Sequence, residues 1–318
     1  MMFQHIVDTL RASQGIAAKA DIAGVASRLG LSGSDTIRLG DDCAAIPDGD
    51  GYLLLAIEGF INEFVAADPW FAGWCGVMVN VSDVAAMGGR PTAVVDAIWS
   101  AGSDAADPIL QGLRAASAAF AVPLVGGHTN IRTDRSQLSA AIIGRAKKLL
   151  TSFDARPGEH LVAAIDLRGR YREPFPNWQA ATDAPPQRLR DDLEILPSIA
   201  EADLAAAAKD ISQGGIVGTA LMLAECSAVG LSIDLAAIPR PDATPFDRWL
   251  RTFPSFGYLI SVAQANIPAV IARFTERGIA AADIGTVTAD HEVRVTLGPD
   301  TATIWDFTRQ PLLGCIHA

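Results

Sequence analysis

No apolar stretch in this chain is longer than a β-strand, and this limits the possible folds more than any other feature. Two examples are Tyr52–Ile57 and Leu138–Ile143. A membrane-spanning helix needs about 20 apolar residues, so no transmembrane segment and no membrane partner are expected. Half of the residues are nevertheless hydrophobic and the mean hydropathy is +0.25. The sequence therefore predicts a globular protein with substantial cores, built from short strands and helices.

The charge balance argues against two classes of partner. The chain has 25 Lys and Arg against 36 Asp and Glu, a formal net charge of −11. Nucleic-acid-binding proteins carry a basic patch, and proteins that bind anionic membranes carry a basic segment. Neither feature is present in the sequence, so we expect no nucleic-acid partner and no membrane partner.

The cysteines indicate a reducing compartment. Cys43, Cys75, Cys226 and Cys315 are widely separated and form no C-x-x-C pair. This spacing predicts reduced thiols, without a disulfide framework or a thiolate metal site. The first residues also lack the basic-then-apolar pattern of a signal peptide. We therefore expect a cytoplasmic protein.

Two Asp-Pro pairs predict the starts of long helices. Asp68 and Pro69 provide an N-cap and a proline at the first helical position, and the following Gly88-Gly89 predicts an end near Met87. One face of this helix is apolar, and the other carries Asn80 and Asp83. The pair Asp107-Pro108 predicts a second helix that ends near Ala121.

Strands and helices mix along the whole chain, which predicts an α+β fold in two domains. We place the domain boundary near Leu150, giving domains 1–150 and 151–318. In the second domain we expect a helix over 191–208 and a turn at 210–215, with Asp210 as the candidate N-cap, that leads into a further helix over 216–228. The long segment 168–190 is rich in Arg and Pro, which predicts either an anion-binding substrate loop or a solvated loop.

Common catalytic and nucleotide-binding motifs are missing from the sequence. It contains no G-x-x-x-x-G-K-[ST] phosphate loop, no G-x-G-x-x-G turn, no H-E-x-x-H pair and no G-x-S-x-G elbow. Acidic residues instead stand at breaks between predicted elements, at Asp41, Asp42, Glu58 and Asp210, and on one face of the predicted helix, at Asp83. Carboxylates suit Mg²⁺, and the Gly126-Gly127 turn before His128 and Thr129 would let backbone N–H groups approach a phosphate.

The order and spacing of these blocks resemble a known superfamily. The segment V-N-V-S-D-V-A-A-M-G-G-R-P at 79–91 is similar to an N-x-S-D-x-x-A-M-G-x-x-P signature. The blocks G-D-D-C-A, G-G-H-T, A-R-P-G-E and D-I-S-Q-G-G follow the family order. The chain therefore resembles the aminoimidazole ribonucleotide (AIR) synthetase-like superfamily over about 37–295. That superfamily includes thiamine-monophosphate kinase and selenophosphate synthetase, and the chain is most similar to its AIR synthase-related members.

The resemblance implies a PurM-like two-domain architecture that binds ATP and Mg²⁺. Its N-terminal domain would bind the nucleotide and form a homodimer, and its C-terminal domain would cover the active-site cleft. The implied metal ligands are Asp41, Asp42, Glu58, Asp83 and Asp210, with Asp42 and Asp210 assigned to catalysis. Residues near the nucleotide would be Asn80, Gly126, Gly127, His128 and Thr129.

The chain departs from both named branches of the superfamily. Glu58 replaces the usual Asp, His128 stands where the kinases carry Asp, and Gln213 replaces a second Asp of their D-x-S-D block. These changes disfavour thiamine-monophosphate kinase activity. Residues 1–32 contain no Cys and only Lys19, which disfavours selenophosphate synthetase.

Together these features predict an ATP- and Mg²⁺-dependent enzyme that transfers a phosphoryl group to an oxygen of a small-molecule substrate. The reaction would be that of a kinase or of a ligase that activates an amide or carbonyl oxygen. Two alternatives stay open, a non-catalytic ATP-binding or regulatory member of the superfamily and a dimeric scaffold without nucleotide. The sequence does not identify the acceptor.

Overall fold

The computed structural model describes residues 2–31, 37–253 and 255–315. In chain order the helices are α1 (Met2–Arg11), α2 (Gln14–Ala17), α3 (Ala20–Arg28), α4 (Asn62–Ala67), α5 (Pro69–Ala86), α6 (Ser103–Phe120), α7 (Pro186–Leu193), α8 (Ile195–Glu201), α9 (Gly215–Cys226), α10 (Phe246–Trp249) and α11 (Ile267–Thr275). The strands are β1 (Ala44–Asp48), β2 (Gly51–Gly59), β3 (Arg90–Ala101), β4 (Leu124–Asn130), β5 (Arg132–Ala146), β6 (His160–Ile165), β7 (Arg170–Arg172), β8 (Asn177–Gln179), β9 (Ala207–Asp210), β10 (Gly230–Asp234), β11 (Gly257–Val262), β12 (Ala280–Thr288), β13 (Glu292–Leu297) and β14 (Asp300–Asp306). The described chain is thus of mixed α+β content, as the sequence predicts.

The chain forms two compact units. Unit 1 consists of Met1–Asp42, Leu149–Ala180 and Ile199–Ala318, and unit 2 of Cys43–Lys148 and Ala181–Ser198. The chain passes between the units at 148–149, beside the boundary predicted near Leu150. The predicted domains 1–150 and 151–318 differ from these units in two segments. Residues before Cys43 belong to unit 1, and residues 181–198 belong to unit 2. The N-terminal helices therefore pack with the C-terminal half of the sequence.

Unit 2 is built on a five-stranded sheet in the order β1-β2-β5-β3-β4. Its pairs are antiparallel except β3 with β4, which are parallel. Side chains on β2 alternate, since Leu54 and Ala56 are buried whereas Leu55 and Ile57 are exposed. The sheet therefore has one face in the core of the unit and one apolar face open to solvent.

Helix α5 confirms the predicted Asp-Pro start and packs closely on α6. The Asp68 side chain accepts a hydrogen bond from the Phe71 backbone N–H, and Pro69 opens the helix. A Cβ at Gly73 would collide with the Ile109 carbonyl oxygen, and one at Gly112 with the Trp70 carbonyl oxygen. Glycine at these two positions therefore lets the helix backbones approach each other.

Unit 1 is built on a seven-stranded sheet in the order β14-β13-β10-β12-β6-β11-β9. Only β10 and β13 pair in parallel among its described pairs. The central strand β6 is buried on both faces over Leu161–Ile165. Helix α9 is buried along its whole length, and α1 contributes Ile6, Val7 and Leu10 to the same core.

Several predicted boundaries are wrong. Residues 207–208, predicted as the end of a helix, begin strand β9, because pairing with β11 outweighs the helix propensity of an Ala-rich run. Asp210 ends that strand and does not open a helix, since α9 begins at Gly215. Helix α6 begins at Ser103, so Pro108 lies inside it and not at its first position.

The predicted turn at 126–129 is also absent. Gly126, Gly127, His128 and Thr129 lie inside β4, an exposed edge strand that pairs with β3. The resemblance places nucleotide contacts on these residues, and their backbone is extended and not folded into a phosphate-binding turn. Beside them on β3, the Asp96 carboxylate fills the space where a Cβ of Gly127 would stand.

Two of the four cysteines form a disulfide. Cys226 and Cys315 are joined, with Cα atoms 4.9 Å apart, so the prediction of four reduced thiols is wrong for this pair. Their sequence separation of 89 hides the pairing from an interpretation based on local spacing. Cys43 and Cys75 are free and buried.

A buried carboxylate holds the end of the described chain beside Cys226. Glu225 is fully buried in α9 and accepts backbone hydrogen bonds from Leu312 at 2.8 Å, Leu313 at 2.5 Å and Gly314 at 3.1 Å. Three N–H donors compensate the buried negative charge. The same three hydrogen bonds hold the chain so that Cys315 lies beside Cys226.

Among the residues that the structure describes, no helix is both long enough and apolar enough to cross a bilayer.

Candidate functional site

Three acidic residues of unit 1, Asp41, Asp42 and Asp210, lie at or beside β9, the edge strand of its sheet. Lys209 and Asp210 end this strand, and Asp42 approaches it from the N-terminal part of the unit. The Lys209 ammonium donates to Asp42 Oδ1 at 2.5 Å, and the Asp210 backbone N–H donates to Asp42 Oδ2 at 3.2 Å. Two adjacent residues of one edge strand therefore hold both oxygens of the Asp42 carboxylate.

Asp41 is held beside this pair by Ser152. The Ser152 backbone N–H donates to Asp41 Oδ2 at 2.8 Å, and its hydroxyl donates to Oδ1 at 2.6 Å. Burial raises the pKa of the Asp41 carboxyl from 3.8 to about 6. Repulsion from Asp42 contributes to this rise, whereas Lys209 and the two Ser152 hydrogen bonds oppose it.

Lys209 is the cation of this cluster. It is 3% exposed, and its ammonium also lies 3.3 Å from the Ser152 hydroxyl. Burial alone would lower the pKa of the Lys209 ammonium, but attraction to Asp42 and Asp41 raises it above its ordinary value. Lys209 therefore stays charged, and its charge balances part of the buried acidity.

Asp210 lies in the same cluster, at the end of a strand and not at a helix start. It is 2% exposed, and carboxylate oxygens of Asp210 and Asp42 lie within 4.8 Å of each other. The next residues lead into α9, where the Thr219 hydroxyl accepts from the Ser212 backbone N–H at 3.2 Å. The predicted D-I-S block thus provides a buried carboxylate at the free edge of the sheet.

In unit 2, Asn80 and Asp83 lie on α5 but not on a solvated face, because the helix is buried on nearly all sides. Asn80 is fully buried, and its amide donates to the Gly76 carbonyl at 2.9 Å and to the Ala140 carbonyl of β5 at 3.1 Å. Asp83 is 4% exposed. Asn80 thus links α5 to β5, and nucleotide contact by Asn80 and metal binding by Asp83 stay predictions.

The other predicted site residues of unit 2 lie on the sheet. Glu58 is partly buried near the end of β2, and its backbone carbonyl accepts from the Ser139 hydroxyl at 2.7 Å. His128 and Thr129 are exposed on β4, and the His128 ring lies 5.8 Å from the Trp99 ring, centroid to centroid. An open cavity of about 440 Å³ lies beside Trp99, between the end of β2 and the middle of β5.

The donor set of unit 1 suits a hard divalent cation. Asp41, Asp42 and Asp210 offer carboxylate oxygens, which are the protein ligands that Mg²⁺ prefers. Each ionised carboxylate has about four acceptor positions, so the hydrogen bonds to Asp42 leave positions for an ion. The residues present therefore fit a Mg²⁺ site. The cluster also contains a cation of the chain itself, the Lys209 ammonium.

Sequence reasoning missed Lys209 and gave no role to Ser152 as a partner of Asp41. Lys209 stands directly before Asp210, and a lysine beside a predicted metal ligand is a signal that could have been weighed. Ser152 is 111 residues from Asp41. No local pattern indicates that contact.

The Arg-rich segment 168–190 uses several of its charges inside the protein. Arg168 pairs with Asp166 through two hydrogen bonds of 2.7 and 3.0 Å. Arg190 donates to the Ala118 and Ala119 carbonyls at the end of α6, at 2.7 and 3.0 Å. These contacts stabilise the fold, and anion binding by the segment stays a prediction.

Comparison with known sequences identifies relatives over the whole chain. A protein of Synechocystis sp. described as uncharacterised is 48% identical over 318 residues, covering 98% of both chains. A thiamine-monophosphate kinase of Halobacterium salinarum is 30% identical over 222 residues, covering 68% of this chain and 74% of the kinase.

Solved structures share the fold. AaThiL complexed with AMPPCP and TMP has a TM-score of 0.65 at 21% identity, covering 88% of this chain and 94% of that one. T. maritima PurL complexed with ATP has a TM-score of 0.72 at 21% identity, covering 86% of this chain. The match spans only 46% of the PurL chain. At such identities the likeness establishes the fold alone.

Two family descriptions match consecutive parts of the sequence. Residues 40–146 match the AIR synthase related protein, N-terminal domain, and residues 172–298 match its C-terminal domain. The family predicted from the N-x-S-D and D-I-S blocks is therefore confirmed, together with its two-domain α+β architecture. The chain belongs to the AIR synthase-related, PurM-like superfamily.

Proposed function

We propose that this protein is an ATP- and Mg²⁺-dependent enzyme that transfers the γ-phosphoryl group of ATP to an oxygen of a small substrate. The observation that carries the proposal is the acidic cluster at edge strand β9, where carboxylate oxygens of Asp42 and Asp210 lie within 4.8 Å of each other and Asp41 lies close enough to Asp42 to be affected by its charge. Phosphoryl transfer depends mainly on positioning and on neutralising the charge of the phosphates. Buried carboxylates that can hold Mg²⁺ fit this requirement.

ATP is proposed as the phosphoryl donor because of the relatives. One relative is named as a thiamine-monophosphate kinase, and fold neighbours are complexed with ATP or with AMPPCP. The acceptor oxygen would belong either to a group that a kinase phosphorylates or to an amide or carbonyl activated for ring closure or dehydration. Both reactions need the same donor arrangement.

The residues divide into two proposed roles. Asp42 and Asp210 would hold the ion nearest the transferring group, and Asp41, Glu58 and Asp83 are further predicted ligands. Bound Mg²⁺ would supply the positive charge that neutralises the phosphates. Lys209 and Ser152 orient Asp42 and Asp41 by their hydrogen bonds.

We also propose a homodimer formed through the exposed face of the five-stranded sheet. Leu55, Ile57, Val95 and Ile143 are exposed on this face, and Leu55 pairs directly with Ile143 across β2 and β5. A contiguous apolar patch on a sheet typically marks an interaction surface. Because the patch consists of aliphatic side chains on adjacent strands, a second copy of the same flat apolar face would complement it.

Thermal unfolding with AMPPCP, with and without Mg²⁺, tests the nucleotide part of the proposal. Saturating nucleotide with Mg²⁺ should raise Tm by roughly 5 °C, because a ligand present at about 100 times its Kd stabilises by about 2.7 kcal/mol. Asp210→Asn should lose most of this shift, because an amide is a poorer ligand for Mg²⁺. Asp300→Asn, the same change at an exposed residue of β14, should keep it.

Turnover is tested separately by ADP release across a broad set of acceptors. Release that requires both Mg²⁺ and one acceptor supports the enzyme. Nucleotide binding without turnover would favour a non-catalytic, regulatory member of the superfamily. No stabilisation by nucleotide under any metal condition would exclude the ATP-binding function.

A further inference from the structure

A lysine lies buried among the carboxylates proposed to bind metal. Lys209 is 3% exposed, and its ammonium contacts Asp42 Oδ1 at 2.5 Å and the Ser152 hydroxyl at 3.3 Å. Lysine is almost never fully buried unless it is paired. Here its ion pair with Asp42 is itself buried, since the two side chains are 4% and 7% exposed.

The lysine is fixed by the geometry of the strand. Lys209 is paired with Leu259 in the register of β9 and β11, so its backbone position is set by the sheet. The neighbouring Asp210 N–H binds the second oxygen of the same carboxylate. Asp42 is therefore held at two points, and the ammonium cannot leave it without breaking a buried ion pair.

The Lys209 ammonium already takes one acceptor position of the Asp42 carboxylate. A metal ion among these residues would be attracted to Asp41, Asp42 and Asp210, and these three carboxylates are the ones whose charge acts on Lys209. An ammonium is a compact point charge. A divalent ion placed beside it would be repelled at short range in a poorly solvated site.

We propose that Lys209 is a built-in cation that occupies one cation position of this cluster, so that unit 1 binds one divalent ion fewer than its carboxylates could hold. The inference rests on the proposed metal-dependent function and deepens it, because it identifies the residue that sets the number of ions. Lys209 is a positioning residue in this role. Its ammonium holds Asp42 and contacts Ser152, which in turn holds Asp41.

The proposal has a structural consequence for the chain without metal. Three neighbouring carboxylates with no cation would repel one another, and the segment carrying Asp41 and Asp42 would separate from β9. Lys209 keeps this segment docked whether or not an ion is bound. The remaining ion then meets ligands that are already in position, which lowers the cost of ordering them on binding.

Counting bound Mn²⁺ tests the proposal directly. Mn²⁺ alone is titrated into the full chain without nucleotide, and free Mn²⁺ is measured by electron paramagnetic resonance. Lys209→Ala removes the ammonium and leaves space for an ion, so it should bind one more Mn²⁺ per chain, or bind Mn²⁺ at least about tenfold more tightly. Lys209→Arg keeps the charge and should bind as the wild type does.

Two further variants serve as controls. Lys147→Ala makes the same change at an exposed lysine and should not alter the count. If Lys209→Ala does not fold, Lys209→Ser takes its place, because a serine hydroxyl removes the charge, keeps a hydrogen-bond donor and leaves all three carboxylates. Lys209→Ser should also bind one more ion than the wild type.

The outcomes separate this proposal from the proposed function. Equal binding by wild type and Lys209→Ala overturns the role of Lys209 and leaves the metal-dependent function standing. Binding by Lys209→Ala but not by wild type supports the role of Lys209 and argues against a resident ion in the native protein. If neither binds Mn²⁺, or if a folded Lys209→Ala loses binding, the proposal is wrong, and the AMPPCP experiment judges the function independently.

Discussion

The two sheets treat their faces differently. In the seven-stranded sheet, every residue of Leu161–Ile165 on the central strand β6 is buried, so both faces are covered. In the five-stranded sheet, Leu54 on β2 is buried whereas its neighbour Leu55 is 44% exposed. The seven-stranded sheet is thus covered on both faces at β6, whereas the five-stranded sheet presents apolar side chains to solvent at β2. This difference gives β6 a core role, and it is the basis of the proposal that the open face of the five-stranded sheet is an interface.

A Val→Asp substitution should strongly destabilise the protein when it is made in the seven-stranded sheet and only slightly when it is made in the five-stranded sheet. Val162→Asp on β6 places a charge at a fully buried position, opposite Ile260 of β11 and the carboxylate-bearing Asp283 of β12, and we expect a loss of at least about 4 kcal/mol in the free energy of unfolding. Val125→Asp on β4, where Val125 is 62% exposed, should cost less than about 1 kcal/mol. Urea unfolding measures both. Similar losses at the two sites would contradict the assignment of β6 to a sealed core.

Helices α5 and α6 pack with their backbones close together, and this packing depends on glycine at the contact. Gly112→Ala puts a Cβ against the Trp70 carbonyl oxygen and should destabilise by about 2 kcal/mol. Gly24→Ala in α3 meets no atom within 4 Å and should stabilise by about 0.5–1 kcal/mol. Thermal or urea unfolding compares the two. A stabilising Gly112→Ala would show that α5 and α6 separate easily.

The sequence predicted elements with strong local signals correctly. Strand β2 is a continuous apolar run, and α5 begins at an Asp-Pro pair whose N-cap hydrogen bond the structure contains. These signals act within a few residues and need no tertiary information. The family blocks also identified the superfamily, because their order spans both units.

The predictions that failed depend on contacts distant in sequence. The Ala-rich run before Lys209 favours a helix locally, but pairing with β11 makes it a strand. The partners of the acidic cluster are 111 and 167 residues apart along the chain, so no spacing rule joins them. The Cys226–Cys315 pair is hidden in the same way, because Glu225 brings the chain end to it.

The acidic cluster at edge strand β9 should make the stability of the protein depend on pH. Asp41 has a pKa of about 6 in the folded chain against 3.8 ordinarily, so the folded state binds its proton more tightly than the unfolded state does. Its contribution to stability is therefore greatest below pH 4 and falls as pH rises towards 6. Asp41→Asn removes this dependence. Its stability relative to wild type should rise by about 2 kcal/mol between pH 4.5 and 7.5.

Urea unfolding at several pH values measures this difference. Asp50→Asn makes the same change in an exposed turn and serves as the control. A stability difference between Asp41→Asn and wild type that stays constant over this range would mean that burial does not perturb Asp41. The acidic cluster would then be more open to water than its hydrogen bonds to Ser152 indicate.

Among these substitutions, one on the exposed face of the five-stranded sheet should change the free energy of unfolding least. The same substitution should prevent the proposed dimer from forming. Ile57 is 71% exposed, so Ile57→Lys should change the free energy of unfolding of the monomer by no more than about 0.5 kcal/mol. A charge at the centre of an apolar interface should nevertheless dissociate the proposed dimer. Leu29→Lys alters a residue of unit 1 that is 67% exposed and should leave the assembly unchanged. Sedimentation velocity of the wild type and the two variants measures their oligomeric states. A wild type that stays monomeric at high concentration would contradict the proposed homodimer.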